Sequence, residues 1–286
     1  MVSPSWDAAI AEEDGITHAV WPFSTEKKIG LTIIRNPLLT PYQGPYFLFK
    51  EEKDISSYNK VDRIFKACLS QVPKWDFFEV QCFPGFNSFL PFHNKGFEHS
   101  QRITYLSDLD QTEEELFKKI KSSQRSHIRQ AERELSVVDG FPHLDLFYRL
   151  NEHTHEKKGK KYVYPEALFK QIISTSLEKN SGIFLAAQRP DGGVAALLFA
   201  VYDKHRMYLL LSATNPEAVH GGAVAMLIWN AIKQAKALGL AYFDFEGSMD
   251  PGIEMFFRSF GAERTTYLSC RSNRSKIWKL KKAIFG

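Results

Sequence analysis

Two carboxylates, Asp244 and Glu246, interrupt the aromatic run "FDFEGS" where it gives way to a turn. On an extended strand residues i and i+2 point the same way, so both acids share one face and Phe243 and Phe245 take the other. The C-terminal end of a strand is a place where rigid scaffolds present chemistry. Partial burial there lifts a carboxylate toward the pKa that a general base needs. A structural use competes, because an acid beside "GSMDPG" can bond the backbone of its own turn. Glu246 is read as the proton acceptor, and Asp244 mainly as the local hydrogen-bonding member of the pair. Arg258, closing the aromatic helix "PGIEMFFRSF", adds a guanidinium suited to a phosphate or a developing oxyanion. An exposed helix arginine is the plain alternative.

A second set is basic. Lys118, Lys121, Arg125, Arg129 and Arg133 recur every three or four residues through "TEEELFKKIKSSQRSHIRQAERE". Read as one long helix, that spacing forms a single cationic stripe, with Leu116, Ile120, Ile128, Ala131 and Leu135 mainly on another face. Arg125 and Arg129 are the candidates for meeting donor phosphates; a solvated face paired with Glu132 and Glu134 is the competing reading. Gly221 and Gly222 open a helix whose backbone N–H groups can face a phosphate. Lys157, Lys158, Lys160 and Lys161 follow a helix C-terminus, where the dipole favours cations in any case. Tyr42, Gln43 and Tyr46 flank Gly44-Pro45, an aromatic turn able to line an acceptor cleft or simply to precede a strand. His153 and His155 diverge by about 200° on a helix, and Cys68, Cys82 and Cys270 lack metal spacing. No metal site and no tightly bound cofactor are expected.

These residues need elements to hold them. "GIFLAAQRPDGGVAALLFAVYDKHRMYLLLSAT" reads as three strands joined by Asp191-Gly192-Gly193 and Asp203-Lys204-His205. "GGAVAMLIWNAIKQAKALGL" follows as a helix with apolar residues at helical spacing, ended by Gly239. Then come "AYFDF" as strand, "PGIEMFFRSF" as helix with Pro251 in its first turn, and "RTTYLSC" as strand. The order is β-β-β-α-β-α-β. The N-terminal half mixes strands ("KKIGLTIIRNPL", "GPYFLF", "DFFEVQCF", "QRITYLSDL") with the helix "SSYNKVDRIFKACLSQV". The fold class expected is mixed α/β.

The bulk figures bound the rest. A chain of 286 residues suits one large or two ordinary domains, and 37 Lys+Arg against 33 Asp+Glu leaves a formal charge of only +4. That excludes a protein coated for nucleic acid. The acidic N-terminus is no signal peptide, and no apolar run approaches the ~20 residues of a membrane span. A cytoplasmic protein with reduced thiols is expected. The last segment, 271–286, reads as a basic amphipathic helix that packs back on the N-terminal lobe. It would give a membrane surface no more than weak association.

"AMLIWNAIKQAKALGLAYFDFEGS" followed by "GIEMFFRSFGAE", with "SSQRSHIRQAERE", "PLLTPYQGPY" and "PFHNKGFEHSQRITYLSDL", resembles the FemAB-like branch of the GNAT acyltransferases. The resemblance covers roughly residues 37–268. It implies two tandem GNAT-like lobes, 1–140 and 141–270, with a substrate cleft between them. It also implies transfer of an acyl or aminoacyl group to an amine acceptor, a small molecule or cell-wall precursor, from acyl-CoA or aminoacyl-tRNA. The family's usual helix Lys is Arg258 here, and an Arg or Gln is missing before Gly221-Gly222. tRNA is therefore a candidate partner. A non-catalytic ligand-binding protein of the same fold is the rival reading.

Overall fold

Asp14 and Gly15, both at positive φ (51° and 73°), make the two-residue turn between β1 (Trp6–Glu13) and β2 (Ile16–Lys28). The computed structural model describes residues 5–49, 54–86, 88–157, 159, 162–247 and 249–275. Ile29 and Gly30 repeat the positive-φ pair before β3 (Leu31–Arg35). β4 (Tyr46–Phe47) adds to β2. Helix α1 (Ile55–Gln71) starts at Asp54, whose side chain accepts from Ser57 N–H at 2.7 Å. Next come β5 (Phe77–Gln81), the short α2 (Leu90–Asn94) and β6 (Glu98–Asp108).

The later chain runs α3 (Glu113–Lys119), α4 (Ser122–Glu134), β7 (Ser136–Asp139), α5 (Leu144–Lys157), α6 (Glu166–Glu178), β8 (Gly182–Gln188), β9 (Val194–Tyr202) and β10 (Arg206–Thr214). It ends with α7 (Ala223–Ala237), β11 (Tyr242–Asp244), α8 (Pro251–Arg258) and β12 (Glu263–Asn273). The chain forms two compact units, one spanning Ile103–Arg264 and the other holding the described residues 5–102 and 265–275. The lobe boundary expected near residue 140 is not where these units divide. Ile128 and Ala131 of α4 are fully buried in the same core as α7, which ties the segment before residue 140 to the later strands.

In the N-terminal unit the strand order is β1-β2-β3-β5-β12, with β3 and β5 parallel and the other pairs antiparallel. Its core is aromatic: Trp21, Phe65, Phe78 and Phe92 are fully buried in mutual edge-on or tilted contact. In the other unit the order is β6-β11-β10-β9-β8-β7, antiparallel except for β10 with β11. α7 lies on this sheet with Ala223, Met226, Leu227, Ile228, Ala231 and Ala235 buried. β9, "VAALLFAVY", is buried along most of its length, as a central strand covered on both faces should be.

Two expectations are corrected. The helix expected over residues 112–134 is two helices, because Ile120 is extended (φ −62°, ψ 135°) and Lys121 N–H leaves the helix for Ser259 O. The cationic stripe therefore does not run along one helix. Residues 271–273 belong to β12 rather than to a C-terminal helix. The rest of that segment, from Lys276 onward, lies outside the described residues, as do Lys158, Lys160 and Lys161.

Candidate active site

β10 and β11 run parallel for three residue pairs, Arg206–Tyr242 to Tyr208–Asp244, and there the pairing stops. β10 continues to Thr214, whereas the chain after Asp244 stays with β6 through Phe245 N–H to Tyr105 O at 3.0 Å. The sheet thus opens at the end of β11, where the two acids stand. The strand reading of "AYFDF" stops one residue early. Glu246 takes left-handed backbone (φ 57°), as does Gly247 (φ 57°), so strict alternation no longer fixes its direction. A Cβ on Gly247 would lie 1.9 Å from Ile103 O, which explains the glycine.

Asp244 is fully buried. Its Oδ1 accepts from Thr104 Oγ1 at 2.6 Å and from the Glu246 N–H at 2.8 Å, and Arg206 Nη1 approaches Oδ2 at 3.4 Å. Glu246 is different. Its residue is half-buried, yet Oε1 has no accessible surface and no hydrogen-bond partner. Burial, and then the neighbouring Asp244 charge, push its carboxyl well above the usual range. Tyr164 stands within electrostatic reach, its hydroxyl pushed up by burial and by Glu246. Tyr162, ring to ring with Tyr164 at 5.2 Å and with His155 at 4.9 Å, also has a buried hydroxyl without a partner. A buried unpaired polar group costs about 1–3 kcal/mol, and here two occur in neighbouring segments.

The other candidates are placed as follows. Arg258 is 55% exposed and, among the described residues, reaches Glu254 at 3.9 Å. Glu254 is held more closely by the hydroxyl of Tyr105 and by Arg264 at 3.3 Å. Arg125 spends Nη1 on the carbonyls of Lys118 (2.8 Å) and Ile120 (2.6 Å), closing the C-terminal end of α3. Arg129 lies over the Phe117 ring, 5.3 Å from its centroid. Gly222 has a packing reason, since a Cβ there would sit 2.2 Å from His127 O on α4. Its N–H donates to His220 Nδ1 at 3.2 Å, so His220 Nε2–H donates to Glu134, 3.0 Å away. Gly221 faces open space. In the N-terminal unit Tyr42 is buried edge-on against Tyr267 and Tyr46 stacks on Phe83. Gln43 is buried with Oε1 unpartnered. Asp244 and Glu246 come together with each other; the remaining candidates do not join them among the described contacts.

Two cavities lie near the α7 end of the sheet. One of about 410 Å³ is lined by Glu134, Arg189, Asp191, Val219 and His220. Its mixed charge, and the N–H groups of Gly222 and Ala223 both given to His220, do not fit a diphosphate cradle. Another of about 350 Å³ sits past the end of β10, between Leu150, His153, Thr154 and Lys157 of α5 and Thr214, Pro216 and Val219. Sequence reasoning missed Thr104, Arg206, Tyr162 and Tyr164. The aromatic pair stood inside "EKKGKKYVYP", where the lysines drew the reading. Among the described residues no cluster of His, Cys, Asp and Glu could hold a metal, and no helix is long and apolar enough to cross a membrane.

Residues 117–256 match the family model for the acetyltransferase (GNAT) domain. The crystal structure of FemX superposes with a TM-score of 0.70 at 14% identity, covering 98% of this chain and 90% of that one. The C-terminal domain of a putative lysylphosphatidylglycerol synthetase from Agrobacterium fabrum gives 0.53 at 11%, covering 97% and 87%. A tandem GNAT protein from the clavulanic acid biosynthesis pathway gives 0.53 at 8%, covering 96% and 85%. No curated protein matches in sequence. The acetyltransferase (GNAT) domain matched by residues 117–256 thus takes in the Asp244–Glu246 turn and ends just past it, within a fold that resembles that of FemX.

Proposed function

We propose that the protein transfers an acyl or aminoacyl group to the primary amine of a small acceptor, with Glu246 receiving the amine's proton. The observation that carries this reading is the Glu246 carboxyl, its Oε1 buried and unpartnered where the β10–β11 pairing ends. An amine in water is mostly ammonium at neutral pH. Beside a buried carboxylate, the ion pair and the neutral pair of acid and free amine come close in energy, because desolvation disfavours both charges. The neutral pair supplies the nucleophile. Its nitrogen attacks the carbonyl carbon of a thioester or ester; as the bond to the donor's sulfur or oxygen breaks, the Glu246 acid gives that atom its proton, and the carboxylate so regenerated accepts the remaining surplus proton of the nitrogen. Alignment of amine and carbonyl supplies much of the rate.

The Tyr162 and Tyr164 rings wall the acceptor side, and the cavity past Thr214 takes the donor's acyl arm. The mixed-charge end of α7 favours a donor whose phosphates lie elsewhere, which gives aminoacyl-tRNA a place beside acyl-CoA. Arg129 and the exposed Arg258 remain the candidates for donor phosphate or oxyanion. A thermal-shift and turnover panel of acyl-CoAs and aminoacyl-tRNAs tests this. Stabilisation and transfer with one donor class support it. Binding without transfer, by either class and with any primary amine, supports the ligand-binding alternative.

A further inference from the structure

We propose that Arg206 is a positioning residue that acts on Glu246 through Asp244, fixing where the acid sits and which charge it carries. The inference rests on the role of Glu246 proposed above. Asp244 is tied to β6 by Thr104 (2.6 Å), to β10 by Arg206 (3.4 Å) and to its own turn by the Glu246 N–H (2.8 Å). That last bond matters most for position. Glu246 is left-handed, a conformation that a residue with a Cβ keeps only when its surroundings hold it. Asp244 holds the turn, and Arg206 holds Asp244.

Arg206 is itself fixed. Its side chain is 14% exposed, and its guanidinium lies between the Tyr208 and Tyr242 rings, 5.9 and 5.6 Å from their centroids. It is a cation set against Asp244, two positions before the second interior carboxylate, Glu246. The groups that act on Glu246 electrostatically are Asp244 from β11 and Tyr164 from the α5–α6 connection. Thr104 from β6 and Arg206 from β10 reach it by way of Asp244.

Opposite signs follow. Without the cation, the Asp244–Glu246 pair as a unit binds its protons more tightly. Without the Asp244 charge, Glu246 releases its proton more readily. A residue that only braced the fold would give neither pattern.

The experiment is a carboxyl ¹³C NMR titration of protein labelled with [δ-¹³C]glutamate, the Glu246 signal being the one lost in Glu246→Gln. Arg206→Gln is expected to raise the Glu246 midpoint, and Asp244→Asn to lower it, each by about one pH unit or more. Arg206→Lys keeps the charge and should stay near wild type, short of the Arg fork geometry. An unchanged midpoint in Arg206→Gln, or shifts of the same sign in the two variants, overturns the proposal. Where Arg206→Gln does not fold, the double variant Arg206→Gln/Asp244→Asn leaves no carboxylate unpaired by the missing cation. Because Arg206 acts through Asp244, its midpoint should then match that of Asp244→Asn, and one clearly displaced from it overturns the proposal. The titration reads Glu246 without turnover, so it can fail while the acyl-transfer reading stands, and the reverse.

Discussion

Gly247→Ala isolates what the strained turn beneath Glu246 requires. The substitution meets two costs. Left-handed backbone in a residue with a Cβ costs about 1–2 kcal/mol, and Gly247 sits at φ 57°. Its Cβ would also fall 1.9 Å from Ile103 O and 2.7 Å from Thr104 Cα, where real Cβ atoms essentially never come within 3.0 Å. Both neighbours are backbone atoms of β6 and cannot rotate away, so overpacking of about 1–3 kcal/mol is added. The sum is about 2–5 kcal/mol. Gly239→Ala is the control, because Gly239 is also left-handed (φ 73°) but has nothing within 4 Å of a Cβ. It should lose only the backbone part. Urea denaturation reads the difference: at a slope of about 2 kcal/mol per molar, Gly247→Ala moves the midpoint by roughly 1–2.5 M and Gly239→Ala by roughly 0.5–1 M. Equal losses at the two sites would refute the steric half of the reasoning.

Thr104→Val removes the 2.6 Å hydrogen bond to the fully buried Asp244 and should cost about 1–3 kcal/mol in the same assay. Arg125→Ala unpairs the Lys118 and Ile120 carbonyls and should cost about 1–2 kcal/mol. Arg129→Ala, which gives up only a ring contact at 5.3 Å, should stay within about 1 kcal/mol. If Arg129 meets donor phosphates, its loss instead flattens the salt dependence of donor binding. The folded protein holds the Glu246 proton more tightly than the unfolded chain. This acid's contribution is therefore fully present below its ordinary value of 4.5 and is lost as pH rises from there through the raised one. Denaturation of wild type against pH should show that decline, and Glu246→Gln should lack it.

The C-terminal architecture was legible because its signals are local. Three apolar runs with Asp/Gly links became β8, β9 and β10, the periodic "GAVAMLIWNAIKQAKA" became α7, and Gly239 at φ 73° follows it. The Asp14-Gly15 hairpin carried an equally local signal, obscured by acidic residues on β1. The break at Ile120 was not legible. The residues on both sides favour helix, and the kink depends on Lys121 N–H reaching Ser259, far along the chain. The Asp244–Glu246 pair could be picked out by type and spacing. Its burial, the Thr104 and Arg206 contacts and the nearby Tyr164 depend on strands that meet only in the folded sheet, so no window of sequence contains them.

The central claim is that Glu246 takes the proton of an attacking amine. Its most direct test is the pH–rate profile of acyl transfer by wild type and Glu246→Gln, with whichever donor class the panel identifies. Wild type should gain rate with pH through an inflection above the ordinary carboxylate range. Glu246→Gln, of the same shape but unable to accept a proton, should lose that inflection and about 10²–10⁴-fold in rate. A Glu246→Gln protein that keeps both the wild-type inflection and the wild-type rate contradicts the account.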